Sequence, residues 1–309
     1  MCISINKLSK WALVGVLVAC SVSCHAETSD VPANITKAKG RQVVATAPAT
    51  QEKDHSDSWK VPAEKKNFHV FLLMGQSNMS GGVDIAAGDT KPVRRVLKMC
   101  LGYKGKAPKW APGAHPLHPR RPNKKKRFGP GLSFAQAYLA DKPGVVVGLV
   151  PMAWGGRGIA QLDKGSGIYS DAIRHAKVAM QAGTLKGVLW HQGESDTVTQ
   201  EKADAYEKKL HRLIKDVRKD LGDAKLPFIV GNLAEFYGTG KDHNAPDRVT
   251  RINKIRGILR SLPDKMPHTG FVESAGCSPA TARAKVHFNR KSCILLVKRY
   301  AKVYADMTT

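Results

Sequence analysis

Short apolar runs alternate with amphipathic segments through most of the chain after residue 66. Five of these runs, each four to six residues long, are rich in β-branched or aromatic side chains, which predicts buried strands. Between them, apolar residues recur at intervals that fit one face of a helix. Strands that alternate with helices predict an α/β fold, with one parallel sheet covered by helices on both faces. The predicted strands are residues 68–73, 145–150, 187–190, 227–231 and 269–272.

Two of the predicted helices have clearly marked ends. One has an apolar face between Ala203 and Leu221 and is followed by Gly222, the residue type that most often follows a helix C-terminus. The last helix begins after Asn289, a suitable N-cap, and is predicted to end near Asp306. Further helices are predicted over residues 132–139, 170–183 and 248–262.

The N-terminal residues have the pattern of an export signal. Lys7 and Lys10 precede an apolar run at residues 11–19, and residues 24–26 (CHA) resemble a cleavage site. The apolar run is too short to span a membrane as a helix. Residues 1–26 are therefore predicted to be a signal peptide.

A lipoprotein signal is a second interpretation of the same segment. Residues 17–20 (LVAC) resemble a lipoprotein box, which would leave a lipid anchor on Cys20 and would be the one predicted contact with a membrane. Either interpretation predicts an exported protein, which is secreted, periplasmic or lipid-anchored at the cell envelope. Residues 27–66 are polar and are predicted to be a disordered linker, so the folded domain is predicted to span residues 67–309.

The charge balance is strongly basic, with 50 Lys and Arg against 25 Asp and Glu and a net charge of +25. Residues 91–127 contain 13 Lys or Arg and no acid, and they are predicted to form a long irregular loop near the mouth of the site. Such a loop could steer an anionic partner such as an acidic polysaccharide, or it could be a merely solvated surface. Predicted export argues against a nucleic acid as the partner.

Polar residues follow three of the predicted strands at the points where those strands end. Ser77 follows the first strand, a glycine-rich turn at residues 155–158 follows the second, and residues 192–196 follow the third. The carboxyl ends of parallel strands lie at one edge of a sheet, so these turns are expected to converge. His287 stands just before the final helix and is a fourth candidate for the same site.

These residues supply the parts that ester hydrolysis requires: a nucleophilic hydroxyl, a base and donors for the oxyanion. Ser77 and His287 are the candidates for nucleophile and base, although a serine after a strand is also a common N-cap. The candidate oxyanion donors are the backbone N–H groups of Ser77 and of Gly155 or Gly156, and the amide of Gln192. The candidate substrate-binding residues are Gln76, Asn78, Arg157 and His191.

Two further observations concern the role of His191 and the requirement for a metal or cofactor. His191 follows an apolar strand, so a structural hydrogen bond is an alternative role for it. The chain has no CxxC pair, HExxH motif or EF-hand loop, so neither a metal nor a cofactor is predicted.

Three motifs resemble those of the SGNH-hydrolase superfamily, and more narrowly its sialate O-acetylesterase and acetylxylan esterase branch, carbohydrate esterase family 6. They are GQSNM at residues 75–79, WHQGESD at residues 190–196 and VHF at residues 286–288. The resemblance covers roughly residues 67–305. It implies a flavodoxin-like three-layer α/β/α sandwich with a five-stranded parallel sheet, and metal-free removal of acetyl groups from sugars.

By position in the motifs, the resemblance implies that Ser77 is the nucleophile and His287 the base. The last motif of the family usually reads Asp-x-x-His, whereas Ala284 stands three residues before His287 here. Glu194 is the candidate for the acid that orients the histidine. A Ser–His dyad with His287 held by a backbone carbonyl is another possibility. Asp196 and Glu273 are further candidates for the acid.

Three functional hypotheses follow. The first is an exported serine esterase that deacetylates carbohydrates such as acetylated xylan or O-acetylated sialic acid, with an anionic sugar as one alternative for its substrate. The second is a catalytically weak carbohydrate-binding relative, because the aspartate expected at Ala284 is missing. The third is a basic surface protein that binds acidic polysaccharide through the loop at residues 91–127.

Overall fold

The structure is a computed structural model that describes residues 56–102, 107–118, 127–283 and 285–309. The predicted signal peptide, Cys20, most of the predicted linker and Ala284 lie outside the described residues.

The described part of the chain begins before residue 67. Two short 3₁₀ helices occupy Ser56–Trp59 and Lys65–Asn67. The indole N–H of Trp59 donates to the carbonyl oxygen of Val93 at 2.9 Å, and the Trp59 ring packs against the core. The end of the predicted linker is therefore ordered on the domain, because its tryptophan has both apolar and polar partners there.

The strands of the described residues form one large sheet and one small ribbon. In chain order they are β1 (Phe68–Gly75), β2 (Val83–Asp84), β3 (Val96–Cys100), β4 (Lys109–Pro112), β5 (Arg127–Phe128), β6 (Val146–Ala153), β7 (Thr184–His191), β8 (Phe228–Gly231) and β9 (Thr269–Val272). The large sheet has seven strands in the order β4-β3-β6-β1-β7-β8-β9, and β2 pairs with β5. All neighbours in the large sheet are parallel except β4, which is antiparallel to β3.

The helices are α1 (Ser77–Ser80), α2 (Gly131–Tyr138), α3 (Gly167–Ala182), α4 (Gln200–Leu221), α5 (Pro246–Arg260), α6 (Leu262–Lys265) and α7 (Arg290–Thr308). The predicted caps hold for α4 and α7: Gly222 is left-handed with a φ of 74°, and the Asn289 side chain accepts from the N–H of Ser292 at 2.9 Å. By contrast, α3 begins earlier than predicted, because Ser166 caps it. Within the described residues, no helix has the length and apolar content needed to cross a bilayer.

The core lies on both faces of β1, the middle strand. Phe71 makes edge contacts with two rings of α2, Phe134 and Tyr138, and with Tyr304 of α7. Val70 points to the opposite face, since successive side chains of a strand alternate, and it approaches Gly183 at the end of α3. The α/β fold with a mostly parallel central sheet flanked by helices is thus confirmed.

The number of strands differs from the prediction. The sheet has seven strands instead of five, because β3 and β4 lie in the segment that was predicted to be an irregular loop. Val96, Leu97 and Met99 of β3 are buried, while Lys98 extends its ammonium to the carbonyl oxygens of Ala114 and Pro116, each at 2.9 Å. The many basic residues of this segment obscured the apolar pattern of β3. Its single lysine, Lys98, is accommodated because its ammonium donates to backbone carbonyl oxygens.

The register of the sheet determines where the polar turns leave it. Gly75 at the end of β1 pairs with Ala153 at the end of β6 and with His191 at the end of β7. Three adjacent strands therefore stop at the same level. The turns that follow them start side by side at the carboxyl edge of the sheet, where open α/β sheets place their ligands.

Candidate active site

Ser77 and His287 meet at this edge of the sheet. Ser77 is the first residue of α1, and its Oγ lies 2.9 Å from Nε2 of His287, although the two residues are 210 positions apart. A hydroxyl and an imidazole at this distance can share a proton. The structure thus brings together the two residues that were predicted to be nucleophile and base.

Gly75 makes the sharp turn that presents Ser77. Its φ is 127°, and a Cβ at this position would lie 2.2 Å from the carbonyl oxygen of His191. Only glycine fits such a backbone conformation next to a neighbouring strand. The carbonyl of Gln76 then accepts from the N–H groups of Met79 and Ser80, which fixes the short turn of α1.

His287 is held by backbone pairing and by the start of α7. Its carbonyl accepts from the N–H of Ala280 at 2.7 Å, and the N–H of Asn289 donates to the carbonyl of Ser278 at 3.0 Å. Gly82 lies behind the imidazole, since a Cβ there would be 2.7 Å from Cβ of His287. The position of the histidine therefore depends on tertiary contacts from three separate segments.

The glycine turn after β6 lies beside the serine. A Cβ on Gly155 would be 3.7 Å from Cβ of Ser77, and Gly155 and Gly156 both line the cavity in front of it. Gly156 has a φ of 72°, which allows the turn to pass this close without a side chain. These glycines are placed where backbone N–H groups can approach a ligand of Ser77.

Gln192, which was predicted to contribute to the oxyanion hole, is not among the described residues that line the cavity. It is fully buried, and its Nε2 donates to Oδ2 of Asp196 at 2.5 Å and to the carbonyl oxygen of Arg157 at 3.1 Å. Nε2 also donates to Oε1 of Gln76 at 3.4 Å, so its two hydrogens are shared among three acceptors. Gln192 thus ties the turn after β6 to the turn after β7.

The structure places Glu194, the acid predicted to orient His287, next to Asn78. Its side chain is 3% exposed, and its Oε1 accepts from Nδ2 of Asn78 at 2.5 Å instead of reaching His287. Burial raises the pKa of the Glu194 carboxyl to about 7. The contact of Glu194 is with the residue next to the nucleophile, not with the base.

The other two candidate acids are engaged elsewhere. Asp196 accepts from Gln192 and from the N–H of Ile159 at 2.9 Å, and burial raises the pKa of its carboxyl. Glu273 accepts from the amide of Asn232 at 2.8 Å and pairs with Arg260 at 2.6 Å. Neither carboxylate contacts the imidazole of His287.

Of the four predicted substrate-binding residues, only Gln76 lines the cavity. Asn78 is buried beneath Ser77, and Arg157 is exposed but is not part of the cavity wall. His191 is buried, its Nδ1 lies 3.2 Å from the hydroxyl of Tyr300, and desolvation lowers the pKa of its imidazole to about 4. These contacts fit the alternative role of His191, which is a structural hydrogen bond inside the protein.

The cavity in front of Ser77 has a volume of about 700 Å³ and extends to residues that the sequence motifs do not include. Tyr237 and Arg248 follow β8, at the same carboxyl edge, so the rule that located the other turns could have indicated this loop as well. Arg248 donates to the hydroxyl of Tyr237 at 3.0 Å. No ion pair among the described residues involves Arg248, Lys202 or Lys209. The unpredicted residues of the wall include Val198, Lys202, Lys209, Tyr237, His243 and Arg248.

Comparison with known proteins identifies relatives of this chain. A probable carbohydrate esterase of Arabidopsis thaliana, At4g34215, is 33% identical over 187 residues, or 55% of this chain and 70% of the relative. The X-ray structure of the Arabidopsis protein has a TM-score of 0.65 at 28% identity and covers 78% of this chain and 98% of its own. The crystal structure of NanS shares the fold, with a TM-score of 0.62 at 15% identity over 79% of this chain and 98% of NanS.

The family model described as carbohydrate esterase, sialic acid-specific acetylesterase, matches residues 67–306. This match spans the sheet, the Ser77 turn and His287, which are the features that carried the predicted resemblance. The chain therefore belongs to the sialic acid-specific acetylesterase family of carbohydrate esterases.

Proposed function

We propose that this carbohydrate esterase removes O-acetyl groups through an acyl-enzyme formed on Ser77, with His287 as the base. The observation that carries the proposal is the 2.9 Å separation of Ser77 Oγ and His287 Nε2 at the wall of a cavity of about 700 Å³. A paired hydroxyl and imidazole next to a space for substrate is the arrangement that nucleophilic ester hydrolysis requires.

The proposed reaction has two halves. In the first, His287 takes the proton of Ser77 as Oγ attacks the acetyl carbonyl, and the oxyanion lies near the backbone N–H groups of Ser77 and Gly155. The C–O bond to the sugar then breaks, and the imidazolium returns the proton to the leaving sugar oxygen. In the second half, His287 activates a water that attacks the acetyl ester, which releases acetate and restores the hydroxyl of Ser77.

Acetate release from a panel of substrates tests this function. The purified protein is incubated with O-acetylated sialic acid, acetylated xylo-oligosaccharides, 4-nitrophenyl acetate and the simple alcohol ester ethyl acetate, and free acetate is measured. We expect release from at least one acetylated sugar, with kcat/KM at least about 100-fold above that of an acetylated simple alcohol, since sugar contacts in the cavity add binding energy. Release from no acetylated sugar would contradict the proposal.

The substrate is proposed to be anionic because Arg248 lines the cavity and forms no ion pair with any residue that the structure describes. Lys202 and Lys209 line the same cavity, but they share its wall with Asp196 and Glu201, and both interact electrostatically with Asp196. The Nε of Arg248 is buried without a hydrogen-bond acceptor. A carboxylate or sulfate on a sugar in the cavity would pair with the Arg248 guanidinium, which lines its wall.

Replacement of Arg248 by glutamine tests the anionic substrate. We expect KM for an acetylated sugar acid to rise about tenfold, because a hydrogen bond to a charged group contributes about 1.5–3 kcal/mol. KM for a neutral acetylated sugar should change less than about twofold. Lys208→Gln, which removes a cation of α4 that lies outside this cavity, is the matched control. Equal effects of Arg248→Gln on both substrates would exclude a charge-specific role.

A catalytically weak relative is the second candidate, and the observation that favours it is the alanine at position 284. A fluorophosphonate probe separates the two candidates, because it labels a serine only when a neighbouring base activates the hydroxyl. Labelling of Ser77 in the wild-type protein supports the enzyme, and an unreactive Ser77 supports the binding protein.

Export of the protein is proposed from residues 1–26 alone, with free secretion and a lipid anchor at Cys20 as its two forms. Metabolic labelling with a palmitate analogue would separate them, since only the lipoprotein form incorporates the fatty acid.

A further inference from the structure

Asn78 contacts the backbone on both sides of His287. Its side chain is 4% exposed and follows Ser77 directly in the chain. Its Nδ2 donates to the carbonyl oxygen of Val286 at 3.1 Å, and its Oδ1 accepts from the N–H of Phe288 at 3.3 Å. One planar amide therefore binds the two peptide groups that flank His287, which fixes the backbone of the base relative to the residue next to the nucleophile.

Glu194 binds the same amide from the opposite side. Its Oε1 accepts from Nδ2 of Asn78 at 2.5 Å. The main chain of Glu194 is itself fixed, since its carbonyl accepts from Thr197 Oγ1 at 2.8 Å and from the Tyr237 hydroxyl at 3.1 Å. The carboxylate thus belongs to the fixed turn after β7 and lies against Asn78.

The hydrogen-bond network determines which way the Asn78 amide is turned. The N–H of Phe288 can only donate and the carbonyl of Val286 can only accept, so Oδ1 must face the first and Nδ2 the second. The second hydrogen of Nδ2 is then left for Glu194, which accepts it. Removal of the carboxylate would leave that buried hydrogen without an acceptor and would release the amide from one of its three bonds.

We propose that Glu194 and Asn78 form a positioning pair that holds His287 at the distance from Ser77 required for proton transfer. The inference rests on the proposed serine-esterase function. Glu194 acts through the geometry of its bond to Asn78 and not through a charge placed on the imidazole. The pair gives this chain a means of restricting His287 that does not need an acid at position 284.

Two substitutions of matched size separate geometry from charge. Glu194→Gln removes the charge but keeps a carbonyl oxygen for Asn78, whereas Glu194→Met fills a similar volume without an acceptor. We expect Glu194→Met to lower kcat for 4-nitrophenyl acetate about 30-fold with KM within about twofold, because misplacement of a catalytic group by about 1 Å costs up to 100-fold. Glu194→Gln should stay at least about tenfold more active than Glu194→Met. Equal losses in the two variants would show that the charge is required and would overturn the proposal.

Amide hydrogen exchange provides a readout that does not depend on catalysis. In the full-length protein we expect the Phe288 N–H to exchange at least about tenfold faster in Asn78→Ala and in Glu194→Met than in the wild type and Glu194→Gln. The N–H of Asn289, which donates to Ser278, is the internal control for global unfolding. Unchanged exchange at Phe288 in Glu194→Met would overturn the positioning role. If the wild type has no esterase activity but Glu194→Met still exchanges faster than the wild type at Phe288, the proposed function is contradicted and the positioning role is not.

Discussion

Ser77→Ala is expected to lower acetate release by at least about 10⁴-fold while the protein stays folded. Ser77 is only partly buried, so removal of its hydroxyl costs little stability, but the acyl-enzyme cannot form without it. Loss of a nucleophile in serine hydrolases removes most of the rate enhancement and leaves only what substrate binding and the oxyanion donors contribute. The measurement is kcat/KM for the best acetylated sugar, with thermal unfolding to verify the fold.

Two further variants make the Ser77→Ala result specific. His287→Ala should cause a loss of similar size, and the double variant should be no worse than either single one, because the two residues act as a unit. Ser195 also lines the cavity, so Ser195→Ala is a matched serine control and should retain at least about a tenth of the activity. Acetate release that survives Ser77→Ala, or that disappears in Ser195→Ala, would contradict the proposed nucleophile.

Gly82→Ala is expected to lower kcat about 100-fold, or about 2.7 kcal/mol, without any change to a catalytic side chain. The added methyl would lie 2.7 Å from Cβ, 2.9 Å from Cγ and 3.2 Å from Cδ2 of His287, whereas carbon atoms in contact are normally about 3.5–4.0 Å apart. The imidazole must therefore move away from Gly82, which alters its distance to Ser77 Oγ. Steady-state kinetics and the melting temperature of the variant measure the two effects separately.

Gly88→Ala is the control for the Gly82 variant, because a methyl there would meet no atom within 4 Å. It should leave both kcat and stability unchanged. Full activity of a folded Gly82→Ala protein would mean that the imidazole does not occupy the position that the structure gives it.

Most of the sheet could be predicted from the sequence because its central strands are buried on both faces. A strand of this kind has a nearly continuous apolar sequence, and β1 and β6 show that pattern. β3 and β4 escaped prediction because they lie near the edge of the sheet among basic residues, where Lys98 is stabilised by two carbonyls from a later loop. A local sequence pattern contains no information about hydrogen-bond acceptors that a distant segment of the chain supplies.

The same distinction applies to the site. The turns that carry Ser77 and Gly155 are predictable, since a polar turn after a parallel strand can only emerge at the carboxyl edge of the sheet. The roles of Gln192 and Glu194 stay predictions, and their contacts could not be predicted because the direction of a side chain depends on its neighbours. Gln192 is directed towards Asp196 and the carbonyl of Arg157, and Glu194 towards Asn78.

The sequence by itself determined the fold class, the family and the pair of residues proposed to act on the substrate, because strand patterns and motif residues are local properties of the chain. Only the tertiary structure decided which atoms are in contact, such as Ser77 Oγ with His287 Nε2 and Glu194 with Asn78. It also decided that Arg248 lines the cavity in front of Ser77. The physical reason is that hydrogen-bond partners and desolvation depend on segments far apart in the chain, which meet only when the core packs.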